Sequence, residues 1–245
     1  MKKLLFLFLS TVSVLLMTCQ QRTVADVYKD LQLEIPEEAR LFADSVSSAV
    51  VEVDFGRTLL KEQEVTITTS KGLLFAPPYT PAETATASNT VTLQPFDDWA
   101  EVLLVSHTLT PTDPVHVTVT VNDLSVSLET QFQQSLPEDM QLDTDTPVVN
   151  ANMDEVTIIA ELFRETGFTS NGIRFVPSAV LEMTDPAQTD TLDWRLPDFV
   201  SSQSNEVVIP LRVLQHVPGS TLRVSLRPFD SDVTISEKST LLHFE

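Results

Sequence analysis

One seven-residue stretch limits the fold more than any other. In VHVTVTV, residues 115–121, Val115, Val117, Val119 and Val121 take every second position. Successive side chains of an extended chain point to opposite faces, so this run makes one apolar face and one polar face. A helix cannot use that period, because neighbours on one helical face lie three or four residues apart. LSVSL at 124–128 continues the alternation, and EVTIT at 64–68 and TVTL at 90–93 repeat it. VVEV at 50–53 reads as a further strand and EVLLV at 101–105 as a more buried one. These runs are rich in β-branched residues and bounded by Pro, Asp, Asn or Gly. No stretch sustains a helical period. PEEARLF at 36–42 offers at most one helical turn, with Pro36 at its first position. The expected class is all-β.

The second half of the chain repeats the plan of the first. VTIIAEL at 156–162 answers SAVVEVDF at 48–55, GIRFVP at 172–177 answers EVTITT at 64–69, and NEVVIPLRV at 205–213 answers AEVLLVSHT at 100–108. From Val102 to Val117 is fifteen residues, the same step as from Val207 to Leu222, and V-T-V-T-V at 117–121 then matches L-R-V-S-L at 222–226. Two copies of a unit of about a hundred residues, with turn signals every 8–12 residues, predict two tandem β-sandwiches. The boundary falls between Phe132 and Asp154, with Gln133 to Asp139 as the linker. The expected domains are residues 31–135 and 136–245.

The order of these strands resembles bacterial immunoglobulin-like domains of the invasin/intimin type. The first copy reads LQLEIP…FADSVSSAVVEVDFGR…EVTITTSKGLL and the second MQLDTDTPVVNANMDEVTIIAELFRETGFTSNGIRF. VHVTVTVNDLSVSLETQF resembles the closing hairpin and final strand of such a domain. The resemblance covers most of residues 31–245, and the glycine-rich loops common in that family are largely missing. It implies immunoglobulin-like sandwiches used for adhesion or assembly.

The N-terminus has a different character. Lys2 and Lys3 precede an almost wholly apolar run from Leu4 to Met17, which is too short to span a bilayer and fits a secretory signal. The run ends in LLMTCQQR, which contains the chain's single cysteine, Cys19. This stretch resembles a bacterial lipoprotein signal, with Leu16 and Cys19 matching the box and Met17 and Thr18 bulkier than usual. The resemblance implies cleavage after residue 18 and acylation of Cys19, with several acyl chains anchoring far better than one. Gln20, in place of an Asp, favours the outer membrane over the inner. Residues 19–30 then form the lipidated cysteine and a polar tether. An ordinary cleaved signal with a coincidental cysteine is the alternative.

Charge narrows the partners. With 15 basic and 35 acidic residues, the formal net charge is −20, which repels nucleic acid and anionic lipid head groups. The expected partners are the membrane, through the lipid on Cys19, and an envelope protein, surface protein or surface glycan. The sequence holds no G-x-G-x-x-G, no G-x-x-x-x-G-K-[ST] and no G-x-S-x-G, so the common nucleotide and α/β-hydrolase signatures are absent. One cysteine allows neither an intrachain disulfide nor a thiolate metal cluster.

Candidate binding residues are few. His107 and His116 flank one predicted loop, but no third zinc ligand stands at metal spacing. Calcium is a better fit to the composition: Asp143 and Asp145 form a D-x-D beside Asp139 at the expected domain junction. Its competitor is a solvated acidic loop. Trp194 in DTLDWRLPDF and Trp99 in PFDDWAE are the only tryptophans, each with acids beside it, so each is either a sugar platform or a packed core residue. The expected function is therefore non-catalytic: a cell-envelope lipoprotein for adhesion or structural assembly. A lipoprotein binding carbohydrate or another small ligand is the runner-up. An envelope hydrolase with a site assembled from distant residues comes last.

Overall fold

The computed structural model describes residues 31–56, 63–77, 88–94, 98–122, 124–183 and 191–245, and every regular element within them is a strand. Cys19 and the signal residues lie outside the described residues. The first group comprises β1 (Gln32–Glu34), β2 (Ser48–Asp54), β3 (Val65–Thr69), β4 (Leu73–Phe75), β5 (Thr90–Leu93), β6 (Trp99–Val105), β7 (Thr112–Val121) and β8 (Leu124–Phe132). The second comprises β9 (Asp139–Thr144), β10 (Val148–Val149), β11 (Glu155–Phe163), β12 (Arg174–Met183), β13 (Asp193–Arg195), β14 (Val200–Ser201), β15 (Glu206–Gln215), β16 (Thr221–Pro228) and β17 (Lys238–Phe244).

The alternation that defines the sequence also sets the burial. Val115, Val117, Val119 and Val121 of β7 are all fully buried, while His116 between them is exposed. Each such valine contributes on the order of 1.5–3 kcal/mol through removal of its apolar surface from water. β15 repeats the pattern, with Val207, Ile209 and Leu211 inward and Glu206, Val208 and Pro210 outward. The β7–β8 hairpin turns at Asn122, whose φ of 53° suits the tight turns that match strand twist. PEEARLF forms a turn in which the Ala39 amide donates to the Pro36 carbonyl, and no helix follows. Phe42, at the end of that segment, is instead drawn into a parallel bridge with Gln133.

The strands assemble into four sheets, ordered β1-β2-β6-β4, β5-β3-β7-β8, β13-β15-β11-β9 and β10-β17-β16-β12-β14. The sequence repeat reappears in this topology. β9, β11, β15 and β13 take the places of β1, β2, β6 and β4, and β14, β12, β16 and β17 those of β5, β3, β7 and β8. Even the parallel Phe42–Gln133 bridge has its counterpart, in the parallel pairing of Val148 with His243 and Val149 with Phe244. Within each group the inward residues of two sheets merge into one core cluster, led by Phe55, Ile67, Leu74, Leu104 and Phe132 in one and by Ile158, Leu162, Phe175, Ile209 and Phe244 in the other. This is consistent with an immunoglobulin-like β-sandwich arrangement.

Candidate functional site

Among the described residues, an extended network of buried polar groups lies where the two strand groups meet. It is built from residues of the connecting segments 42–47, 106–111, 133–138, 164–173 and 202–205. Ser135 and Ser170 are fully buried, and Ser202 nearly so. The Ser170 hydroxyl donates to the Ala43 carbonyl at 2.8 Å and accepts from the Ser135 amide at 2.8 Å. The Ser135 hydroxyl donates to the Phe168 carbonyl at 2.7 Å, and the Ser202 hydroxyl to the Ser170 carbonyl at 2.7 Å. Backbone bonds cross the same seam, from the Phe168 amide to the Asp44 carbonyl at 3.0 Å and from the Asn171 amide to the Leu109 carbonyl at 2.7 Å. The partners of the Ser135, Ser170 and Ser202 hydroxyls are main-chain groups, with neither histidine nor carboxylate among them.

The seam is also packed closely. The buried Asp44 carboxylate accepts from the Val46 amide at 3.0 Å, the Ser47 amide at 2.6 Å and the Ser47 hydroxyl at 2.6 Å, which fixes its loop. Gly167 sits against that loop with φ of +72°, and a Cβ on it would lie 2.8 Å from Asp44 Oδ2 and from Val46 Cγ2. The Arg164 guanidinium stands 5.6 Å from the centre of the Phe42 ring and donates to the Leu136 carbonyl at 3.0 Å. The segment read as a linker is therefore held by the residues on both sides of it.

The residues singled out for binding are dispersed. Asp139 opens β9, Asp143 lies four residues along the same strand and Asp145 just beyond its end. At ~3.4 Å per residue, Asp139 and Asp143 stand ~14 Å apart, whereas ligands of one calcium ion lie within about 5 Å of each other. Asp139 is instead bound to Lys238 Nζ at 2.9 Å, and Asp143 accepts from Gln141 Nε2 at 2.6 Å. The strand runs away from the seam, so Asp143 and Asp145 do not flank it. The Lys238 ammonium, helped by the Met140 amide, holds the Asp139 carboxyl below its ordinary value of 3.8. Among the described residues, no three His, Cys, Asp or Glu side chains are placed to hold a metal ion. His116 faces Glu129 at 3.6 Å.

The tryptophans separate as well. Trp194 on β13 is partly buried against the second core, while Trp99 at the start of β6 is 50% exposed. They belong to different sheets and form no joint platform. The aromatic surface that does form was not legible in the sequence. Phe199 and Phe229 are exposed, meet edge to face at 5.2 Å, and Arg174 lies 4.4 Å over the Phe229 ring while pairing with Asp230 at 3.0 Å.

Two of the depressions on the described surface are open and shallow. One, of about 340 Å³, is lined by Glu64, Thr66, Thr120 and Asn122. The other, of about 370 Å³, is lined by Glu155, Arg195, Leu196, Pro197, Pro210 and Arg212. It forms where β13 leaves the sheet at the Arg195–Arg212 register and β15 continues through Pro210. A proline lacks the amide that a further strand would need, so the sheet narrows there and leaves a hollow.

No family model matches the chain, and no curated protein matches it in sequence. Among solved structures it is distantly similar to the Yersinia pseudotuberculosis adhesin InvE, with 14% identity and a TM-score of 0.48 over 88% of this chain and 60% of that one. It is also similar to an Escherichia coli alpha-2-macroglobulin, with 14% identity and a TM-score of 0.30 over 87% of this chain and 15% of that one. Domains 4–9 of the surface layer protein SbsC match with 11% identity and a TM-score of 0.28, over 86% of this chain and 31% of that one. The chain thus spans less than two thirds of the length of each.

Proposed function

We propose that the chain is a bacterial cell-envelope lipoprotein. Acyl chains on Cys19 hold it at the outer membrane, and two immunoglobulin-like sandwiches, residues 31–135 and 136–245, mediate adhesion or structural assembly without catalysis. The hydrogen-bonded seam carries this reading. Enzymes concentrate their buried polar groups around a reacting centre, whereas here they join one strand group to the next. Such a seam makes a stiff presenting arm, and stiffness lowers the ordering cost that a flexible pair would meet on binding. The partner is an envelope or surface protein.

Feeding cells an alkyne fatty acid tests the anchor. The full chain takes up label, and Cys19→Ser abolishes labelling and moves the chain to the soluble fraction. A mature chain with an unmodified N-terminus would sink the lipoprotein reading. Cross-linking in intact envelopes tests the role. A specific envelope protein is captured by the native chain and lost when Phe199 and Phe229 are both changed to Ser.

A further inference from the structure

The outer face of the β13-β15-β11-β9 sheet brings two arginines and one glutamate together, a local excess of one positive charge. Arg195 stands directly opposite Arg212, and Arg212 directly opposite Glu155. All three are exposed and all three line the 370 Å³ depression. Ion pairs among the described residues engage Arg174, Arg223, Lys238 and His116, and neither the Arg195 nor the Arg212 guanidinium joins an ion pair or a hydrogen bond there. The chain has 35 acidic residues with which such a pair could be neutralised. Like charges directly opposite on neighbouring strands destabilise a sheet, so two guanidiniums left side by side in a hollow are arranged for something outside the fold.

We propose that this depression binds the carboxylate of a small organic acid. A carboxylate laid across Arg195 and Arg212 accepts paired N–H bonds from the two forks and cancels their repulsion. Leu196, Pro197 and Pro210 supply an apolar wall for the body of the ligand, and the volume suits a single sugar or one blocked amino acid. Glu155 closes one end, where it accepts from a hydroxyl or amide of the ligand and disfavours a doubly charged anion such as phosphate. The carboxylate arises in two kinds of molecule, an acidic sugar or a peptide C-terminus, and both present the same group to the arginines. The proposal holds whether or not Cys19 carries lipid.

Titration of the ¹⁵N-labelled full chain with glucuronate and with N-acetyl-leucine tests it. The Nε–Hε signals of Arg195 and Arg212 shift saturably with at least one acid, and the acid that binds more tightly identifies the source. Glucose and N-acetyl-leucinamide, which lack the carboxylate, leave those signals unmoved. Arg195→Gln and Arg212→Gln each weaken binding by about tenfold or more, while Glu155→Gln does not weaken it. Arg195→Gln keeps or raises the melting temperature of the ligand-free chain, because Arg195 stands opposite Arg212 and a repulsion is removed. Three results would overturn the proposal: no saturable shift up to ~50 mM of either acid, equal responses to an acid and its neutral analogue, or a clear drop in melting temperature on Arg195→Gln.

Discussion

Asp44 and Gly167 show how single residues hold the seam. The Asp44 carboxylate satisfies two amides and a hydroxyl. Replacing Asp44 with Ala leaves these part-buried bonds without their acceptor, and urea unfolding is expected to show a loss of about 1 kcal/mol. Gly167 meets the same loop at a distance no Cβ tolerates and at a φ that L residues avoid. Gly167→Ala is expected to cost about 1–3 kcal/mol by the same measurement. Asp139 makes a test with a sign. Its carboxyl is held below 3.8, chiefly by the hydrogen bond from Lys238. The stability it contributes is therefore complete above the unfolded value and fades as pH falls through the folded one. Its carboxyl carbon is expected to titrate below 3.8 by NMR, and Lys238→Met should move the midpoint upward.

At the scale of elements, the closing of each core depends on a few large side chains. Phe132 ends β8, is fully buried, and lies so near Gly72 that a Cβ there would sit 2.9 Å from the ring. Because β8 and β4 belong to different sheets, this contact ties one sheet to the other. Phe132→Ala is expected to cost about 3–5 kcal/mol in denaturant titration. The strands themselves were legible, since a period of two is written locally in runs such as VHVTVTV. The repeat was legible too, because equal spacing between Val102–Val117 and Val207–Leu222 needs no structure to be seen. The seam was not. Ser170 bonds to Ala43 across 127 positions of sequence, and Ser135, Ser170 and Ser202 share no local motif. Nor was the paired-arginine hollow, which exists only because the β13–β15 register sets two residues seventeen positions apart side by side. For the aspartates of DMQLDTD the converse holds: proximity in sequence becomes distance along an extended strand, which sets Asp139 ~14 Å from Asp143.

The whole molecule is expected to unfold as its seam dictates. With the junction intact, the two cores melt in one calorimetric transition, because each hydrogen bond across the seam couples their stabilities. Combining Gly167→Ala with Ser170→Ala should separate that peak into two while leaving the far-ultraviolet spectrum unchanged. The parallel bridges have a further, mechanical consequence. Ala43 donates to Gln133 and Gln133 to Leu41, while His243 donates to Pro147 and Glu245 to Val149, so the same short clamp occurs in both copies. In each, the earlier segment leads back toward the N-terminus and the later strand leads on toward the C-terminus. A pull between the ends loads the paired bonds sideways and all together, where a hairpin would peel open one bond at a time. A molecule tethered at its front and gripped at its far end would meet that pull with two shear-loaded clasps in series.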